Sequence, residues 1–125
     1  MARILLVDDS KFQRKCMCRM LSNMGHEVSQ AENGEMGLQM YDSEKPDMVI
    51  TDLLMPVVDG IGLLRGLKER NCKAPVLVVT ADIQESTKQE CMQLGAKAFL
   101  NKPHSSDDLG AALNRILNPE SERKP

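Results

Sequence analysis

Short apolar runs alternate along the chain with stretches whose apolar residues recur every three or four positions. Arg3 to Val7 reads as a strand. Phe12, Cys16, Met20, Leu21 and Met24 then recur at helical spacing, and Gly25 is a natural stop. Glu27 to Ala31 alternates as a weaker strand. Asn33-Gly34 is a turn signal ahead of a short helix through Met36, Met40 and Tyr41. Met48 to Thr51 is a continuous apolar strand. After a loop containing Pro56, Asp59 is positioned to cap a helix carrying Ile61, Leu64 and Leu67. Pro75 opens a strand from Val76 to Val79. Ile83, Thr87, Cys91 and Leu94 suggest a further helix ended by Gly95, and Lys97 to Leu100 is the last strand. The final helix is the most regular, with Leu109, Ala112, Leu113, Ile116 and Leu117 on one stripe. Ser105 or Ser106 can cap it, Asp107 and Asp108 suit the positive end of its dipole, and Asn118-Pro119 ends it.

Five strands alternating with five helices, the central strands nearly all apolar, predict a parallel sheet covered on both faces. Right-handed crossovers make this a doubly wound α/β domain. Residues 1–118 read as one domain. Residues 119–125 read as a polar, disordered tail or the start of a linker.

Composition narrows the function. A chain of 125 residues fits one domain, and 42% hydrophobic with 27% charged residues is ordinary for a globular fold. A net charge of −2 and the lack of any basic run argue against nucleic acid or anionic lipid as partners. Two Phe, one Tyr and no Trp leave no stacking platform for bases or a flavin. Cys16, Cys18, Cys72 and Cys91 form no CxxC pair and have no metal-type spacing with His26 or His104, so they read as reduced, mostly packed thiols. The N-terminal apolar run is too short for a signal peptide, and no stretch approaches a membrane span. The expected location is cytoplasmic. Of the nine methionines, Met17, Met20, Met24, Met36 and Met40 mostly read as core-facing gap fillers.

The candidate chemistry lies where strands end. ILLV runs into Asp8-Asp9, MVIT into Asp52, VLVV into Thr80 and AFLN into Lys102. Open α/β sheets bind ligands beyond the carboxyl ends of their strands, where strand order reverses. If the order is 2-1-3-4-5, the first and third strands are neighbours, and Asp8, Asp9 and Asp52 would converge on one pocket. Three clustered carboxylates repel one another, and a hard divalent cation such as Mg²⁺ resolves that conflict. A lysine and a hydroxyl beside them suit a phosphoryl group. Taken singly, each residue has a plainer role, as a helix cap, a turn residue or a solvated lysine. Taken together they point to an acidic metal site that handles a phosphoryl group, with a carboxylate as nucleophile.

At these residues the chain resembles the receiver domain of two-component response regulators. The resemblance is carried by LLVDDS, DLLMPVVDG, VVTA and GAKAFLNKP, in that order, and covers nearly everything from Arg3 to Leu117. It implies a flavodoxin-like sheet of order 2-1-3-4-5. It also implies Asp52 as phosphoacceptor, and Mg²⁺ held by Asp8, Asp9, Asp52 and the backbone carbonyl of Leu54. Lys102 and Thr80 would contact the phosphoryl group, and the Lys102-Pro103 peptide would be cis. The implied donor is a phosphohistidine on a sensor kinase or phosphotransfer protein. The readers are unnamed downstream proteins, and the domain is a monomer or a phosphorylation-dependent dimer. An aromatic at the position of Phe99 turns inward on activation in the family. Phe99 lacks a hydroxyl to show a partner, and it also reads as a fixed core residue. Leu54 and Asp82 sit where the family tunes the lifetime of the aspartyl phosphate. His104 reads as a loop residue.

Three other functions compete. An aspartate-nucleophile phosphatase of the haloacid dehalogenase type wants its second aspartate two residues beyond the first on one strand end, unlike Asp8-Asp9. A flavodoxin-like FMN binder wants a hydroxyl- and glycine-rich loop where Asp8 and Asp9 would repel phosphate. A degenerate receiver that only binds partners would not need the full set of Asp8, Asp9, Asp52, Thr80 and Lys102.

Overall fold

The computed structural model describes residues 2–53, 55, 58–82 and 84–118. Ten elements alternate: β1 (Arg3–Val7), α1 (Lys11–Asn23), β2 (Glu27–Ala31), α2 (Gly34–Glu44), β3 (Met48–Thr51), α3 (Gly60–Glu69), β4 (Val76–Thr80), α4 (Glu85–Gln93), β5 (Ala98–Asn101) and α5 (Ser106–Leu117). The strands pair in parallel in the order β2-β1-β3-β4-β5. This is the doubly wound sheet that the strand-helix alternation predicts, in the flavodoxin-like order that the resemblance implies.

Strand side chains alternate between faces, so the sheet divides the core in two. Ile4, Leu6, Met48, Ile50, Leu77 and Val79 meet Met17 and Leu21 of α1 and Leu109, Ala112, Leu113 and Ile116 of α5. Leu5, Val7, Val49, Val76 and Val78 meet Leu63, Leu64 and Leu67 of α3 and Cys91 of α4, with Leu38 and Tyr41 of α2 alongside. Each fully buried Leu or Ile contributes about 1.5–3 kcal/mol of transfer free energy.

Short polar side chains start four of the helices by taking an otherwise unpaired amide. Ser10, Asn33 and Asp59 accept from Gln13 N, Met36 N and Gly62 N at 3.2, 2.8 and 2.8 Å. Ser105 and Asp108 exchange both bonds of a capping box. α1 ends as its sequence suggests. Gly25 adopts φ 92°, a left-handed conformation that glycine enters without strain, and His26 N bonds back to Leu21 O at 3.0–3.1 Å alongside Gly25 N to Ser22 O.

Several expectations need correction. Phe12 is 75% exposed, because it lies in the first turn of α1 and lines a surface groove with Pro103 and His104. The buried face of α1 is set instead by Met17 and Leu21. Met36 is 40% exposed, since it sits in the first turn of α2, ahead of the side chains that reach the core. The last strand runs one residue later than expected, from Ala98 to Asn101. α4 starts at Glu85, so Ile83 precedes it and lies outside the described residues, as do Pro56 and the 119–125 tail.

Candidate functional site

The site is assembled by register. Val7 pairs with Thr51, so the residues that follow them, Asp8 and Asp52, emerge side by side at the carboxyl edge. Backbone bonds hold both ends: Asp52 N donates to Val7 O at 3.1 Å and Asp8 N to Ala31 O at 3.1 Å. β4 and β5 supply the other wall. Thr80 pairs with Asn101, and Lys102 N donates to Thr80 O at 2.8 Å. The Lys102-Pro103 peptide is cis, as the resemblance implies.

Lys102 bridges the two carboxylates. Its Nζ lies 2.7 Å from Asp52 Oδ2 and 3.4 Å from Asp8 Oδ2, and it also donates to Gln13 Oε1. The Lys102, Asp8 and Asp52 side chains are only 20%, 9% and 13% exposed, so the attraction is less screened than on an open surface. The second oxygen of each carboxylate takes a backbone amide: Ser10 N at 2.9 Å on Asp8 Oδ1 and Leu53 N at 2.6 Å on Asp52 Oδ1. Burial raises the Asp8 carboxyl above its usual range, and the Asp52 charge adds to this. The Ser10 amide and the Lys102 ammonium pull the other way without cancelling it.

Not every expected residue joins this cluster. Asp9 is exposed, and its side chain forms no hydrogen bond or ion pair with the described residues. Among the described residues, no three His, Cys, Asp or Glu side chains are gathered closely enough to hold a metal ion. The donor chemistry still suits a hard divalent cation. Asp8 and Asp52 present carboxylate oxygens with one ammonium between them, and the charge that burial penalises on Asp8 is one a cation would stabilise. Leu54 lies outside the described residues.

Thr80 is fully buried, and its Oγ1 accepts from Asp82 N at 3.3 Å. Asp82 links Thr80 to the start of α4 and the end of β5. Its carboxylate accepts from Gln84 N at 2.9 Å and Thr87 Oγ1 at 3.0 Å, and its carbonyl accepts from Asn101 Nδ2 at 3.2 Å. It thereby anchors the entry to α4, whose N-cap residue Gln84 makes no side-chain capping bond of its own. Phe99 is half-buried opposite Val78 and packs against the α3-side core.

Sequence reasoning missed Gln13 and Arg14. Arg14 Nη1 donates to Asp8 O at 2.6 Å and steadies the end of β1. The signal available for Gln13 was its place three residues after a capping serine, which predicts a local partner and not Lys102.

Comparison with known proteins agrees with this geometry. Residues 4–114 match the model of the response regulator receiver domain. The chemotaxis protein CheY of Bacillus subtilis is 38% identical over 117 residues, covering 93% of this chain and 98% of that protein. The solved chemotaxis protein CheY4 of Vibrio cholerae superposes with a TM-score of 0.87 at 31% identity, over 93% of this chain and 98% of the other. The receiver domain of a Pseudomonas aeruginosa sensor histidine kinase gives a TM-score of 0.85 at 25% identity, over 93% and 97%, and that structure has a magnesium ion coordinated in its active-site cleft. This protein belongs to the response regulator receiver domain family of two-component systems.

Proposed function

We propose that Asp52 accepts a phosphoryl group from the phosphohistidine of a sensor kinase or phosphotransfer protein, and that the domain signals by the change of surface that follows. The observation that carries this reading is the Lys102 ammonium held between the carboxylates of two adjoining strand ends. An Asp52 oxygen attacks the donor phosphorus as the donor's P–N bond breaks. The ammonium then follows the negative charge onto the phosphoryl oxygens, and the Thr80 hydroxyl donates to one of them. Asp8, Asp9, Asp52 and the Leu54 carbonyl would hold Mg²⁺. Bound there, the cation supplies positive charge to the transferring group. The chain acts only on its own phosphorylation and dephosphorylation, without turnover of a separate substrate.

Thr80 couples the chemistry to shape. Its hydroxyl bonds the Asp82 amide, and Asp82 is bonded to α4 and to the end of β5. Drawing Thr80 toward a phosphoryl oxygen therefore pulls on loop, helix and strand at once. This shifts the population toward an active arrangement, with Phe99 moving inward. Leu54 and Asp82 tune the lifetime of the phosphate. Leu54 has no side-chain hydrogen bond to offer an attacking water, whereas each Asp82 carboxylate oxygen, bonded to Gln84 N or Thr87 Oγ1, keeps a lone pair that could accept from one. The readers are downstream proteins that dock on the face of α4, β5 and α5. The domain, residues 1–118, works in the cytoplasm as a monomer or a phosphorylation-dependent dimer, without nucleic acid or membrane contacts of its own.

The test is intact-mass detection of one phosphate after incubation with Mg²⁺ and acetyl phosphate, beside Asp52→Asn and a chelated sample. Label that survives either control refutes the assignment.

A further inference from the structure

Ser10-Lys11-Phe12-Gln13 has the pattern of a capping box, with serine at the N-cap and glutamine three residues on. Only half of the box forms. Ser10 Oγ accepts from Gln13 N at 3.2 Å. The Ser10 amide, which the Gln13 side chain would ordinarily accept from, donates instead to Asp8 Oδ1 at 2.9 Å. In α5 the same pattern closes fully, with Ser105 and Asp108 exchanging both bonds at 3.0 and 3.1 Å. Asp8 has thus displaced Gln13 from its local partner. The freed Oε1 accepts from Lys102 Nζ, 89 positions away in the chain.

An ammonium has three donors. Here its three acceptors are Asp8 Oδ2, Asp52 Oδ2 and Gln13 Oε1. Two are anions and attract Lys102 wherever it sits in the cleft. Gln13 is neutral, sits in the first turn of α1, which Ser10 caps, and fixes a direction that the flexible four-carbon lysine stem cannot fix for itself. Neutrality matters as well, since a third carboxylate would repel an anionic phosphodonor.

We propose that Gln13 is a positioning residue that holds the Lys102 ammonium where an incoming phosphoryl oxygen meets it. The proposal rests on the reading of Asp52 as acceptor, and the Asp52→Asn control tests that reading separately. The experiment is the rate of labelling of the full chain by acetyl phosphate with Mg²⁺, at low and high salt, with urea unfolding of each variant alongside. Gln13→Met keeps the bulk and loses the acceptor. It is expected to label about three- to tenfold more slowly at either salt, the loss of one ordinary hydrogen bond. Gln13→Glu restores an acceptor but adds a charge. Its deficit is expected to shrink at high salt, where repulsion of the donor is screened, until it labels faster than Gln13→Met. A wild-type rate for Gln13→Met overturns the proposal. So does a loss shared equally by both variants and unmoved by salt, which would mark Gln13 as a helix residue only. In either case label lost in Asp52→Asn would leave the acceptor assignment standing.

Discussion

Replacing Gly60 by alanine sets two effects against each other, and the structure decides between them. Alanine is the better helix former by up to about 1 kcal/mol, less at a first helical position such as this. Against that, a Cβ built on Gly60 would lie 2.4 Å from the Asp52 carbonyl oxygen and 2.6 Å from Leu53 Cα. Both are backbone atoms, and neither can swing aside as a side chain tip would. The Asp52 carbonyl is held from another side by the Thr51 hydroxyl at 2.7 Å, and Gly60 N is itself bonded to Leu53 O at 2.9 Å. Overpacking of this kind costs about 1–3 kcal/mol. The expected net loss is about 1–2 kcal/mol, or about 3–8 °C in Tm for a domain of this size. Urea and thermal unfolding measure it. Gly110→Ala is the matched control, because the nearest atom to its added Cβ is Met24 Cε at 3.7 Å, so propensity acts there without a clash. Gly110→Ala should stabilise by about 0.5–1 kcal/mol. Displacement of Asp52 should also slow labelling by Gly60→Ala more than tenfold, since about 1 Å of misplacement can cost two orders of magnitude. A Gly60→Ala variant as stable as wild type would refute the reasoning, and so would equal effects at the two glycines.

Three further outcomes follow from the same contacts. Burial raises the Asp8 pKa, so its ionised form costs stability once pH exceeds the folded pKa, and the cost vanishes below the unfolded value of about 3.9. Asp8→Asn should therefore be more stable than wild type at neutral pH without Mg²⁺, with the gain disappearing in strong acid, and its labelling should no longer respond to Mg²⁺. His26 accepts from Ala2 N at 3.0 Å through Nδ1, and burial, with the N-terminal charge, lowers its pKa. The stability of that neutral form should be complete above about pH 6.5 and fall as pH drops through that value toward the lower folded pKa, a slope that His26→Gln should remove in urea titrations. Asp82→Ala removes the bonds to Gln84 N and Thr87 Oγ1 and should cost about 1 kcal/mol, read by urea unfolding, with faster amide exchange confined to the start of α4.

The alternation of period-two and helical patterns determined the ten elements, because each depends on neighbours a few residues apart. The caps at Asp59 and Ser105 and the stop at Gly25 were readable for the same reason, a side chain or a φ angle acting on its own turn, whereas Asn33, read as part of a turn, proved also to cap α2. The strand-end set of Asp8, Asp52, Thr80 and Lys102 was visible as chemistry. That it forms one site depended on strand order, which local propensity does not encode. What only the tertiary structure decided are contacts across long stretches of chain. Lys102 meets Asp52 and Asp8 over separations of 50 and 94 residues. Phe12 fits the helical period yet faces a groove, because the period says which residues share a stripe and not what lies opposite it. Gly60 is an ordinary glycine in sequence and a steric necessity only once the Asp52 carbonyl lies against it. Gln13 shows both sides of the difference. Its sequence position assigns it to Ser10, but Asp8, only two residues before Ser10, takes that amide locally, and the fold alone brings Lys102 across 89 residues to the side chain left over.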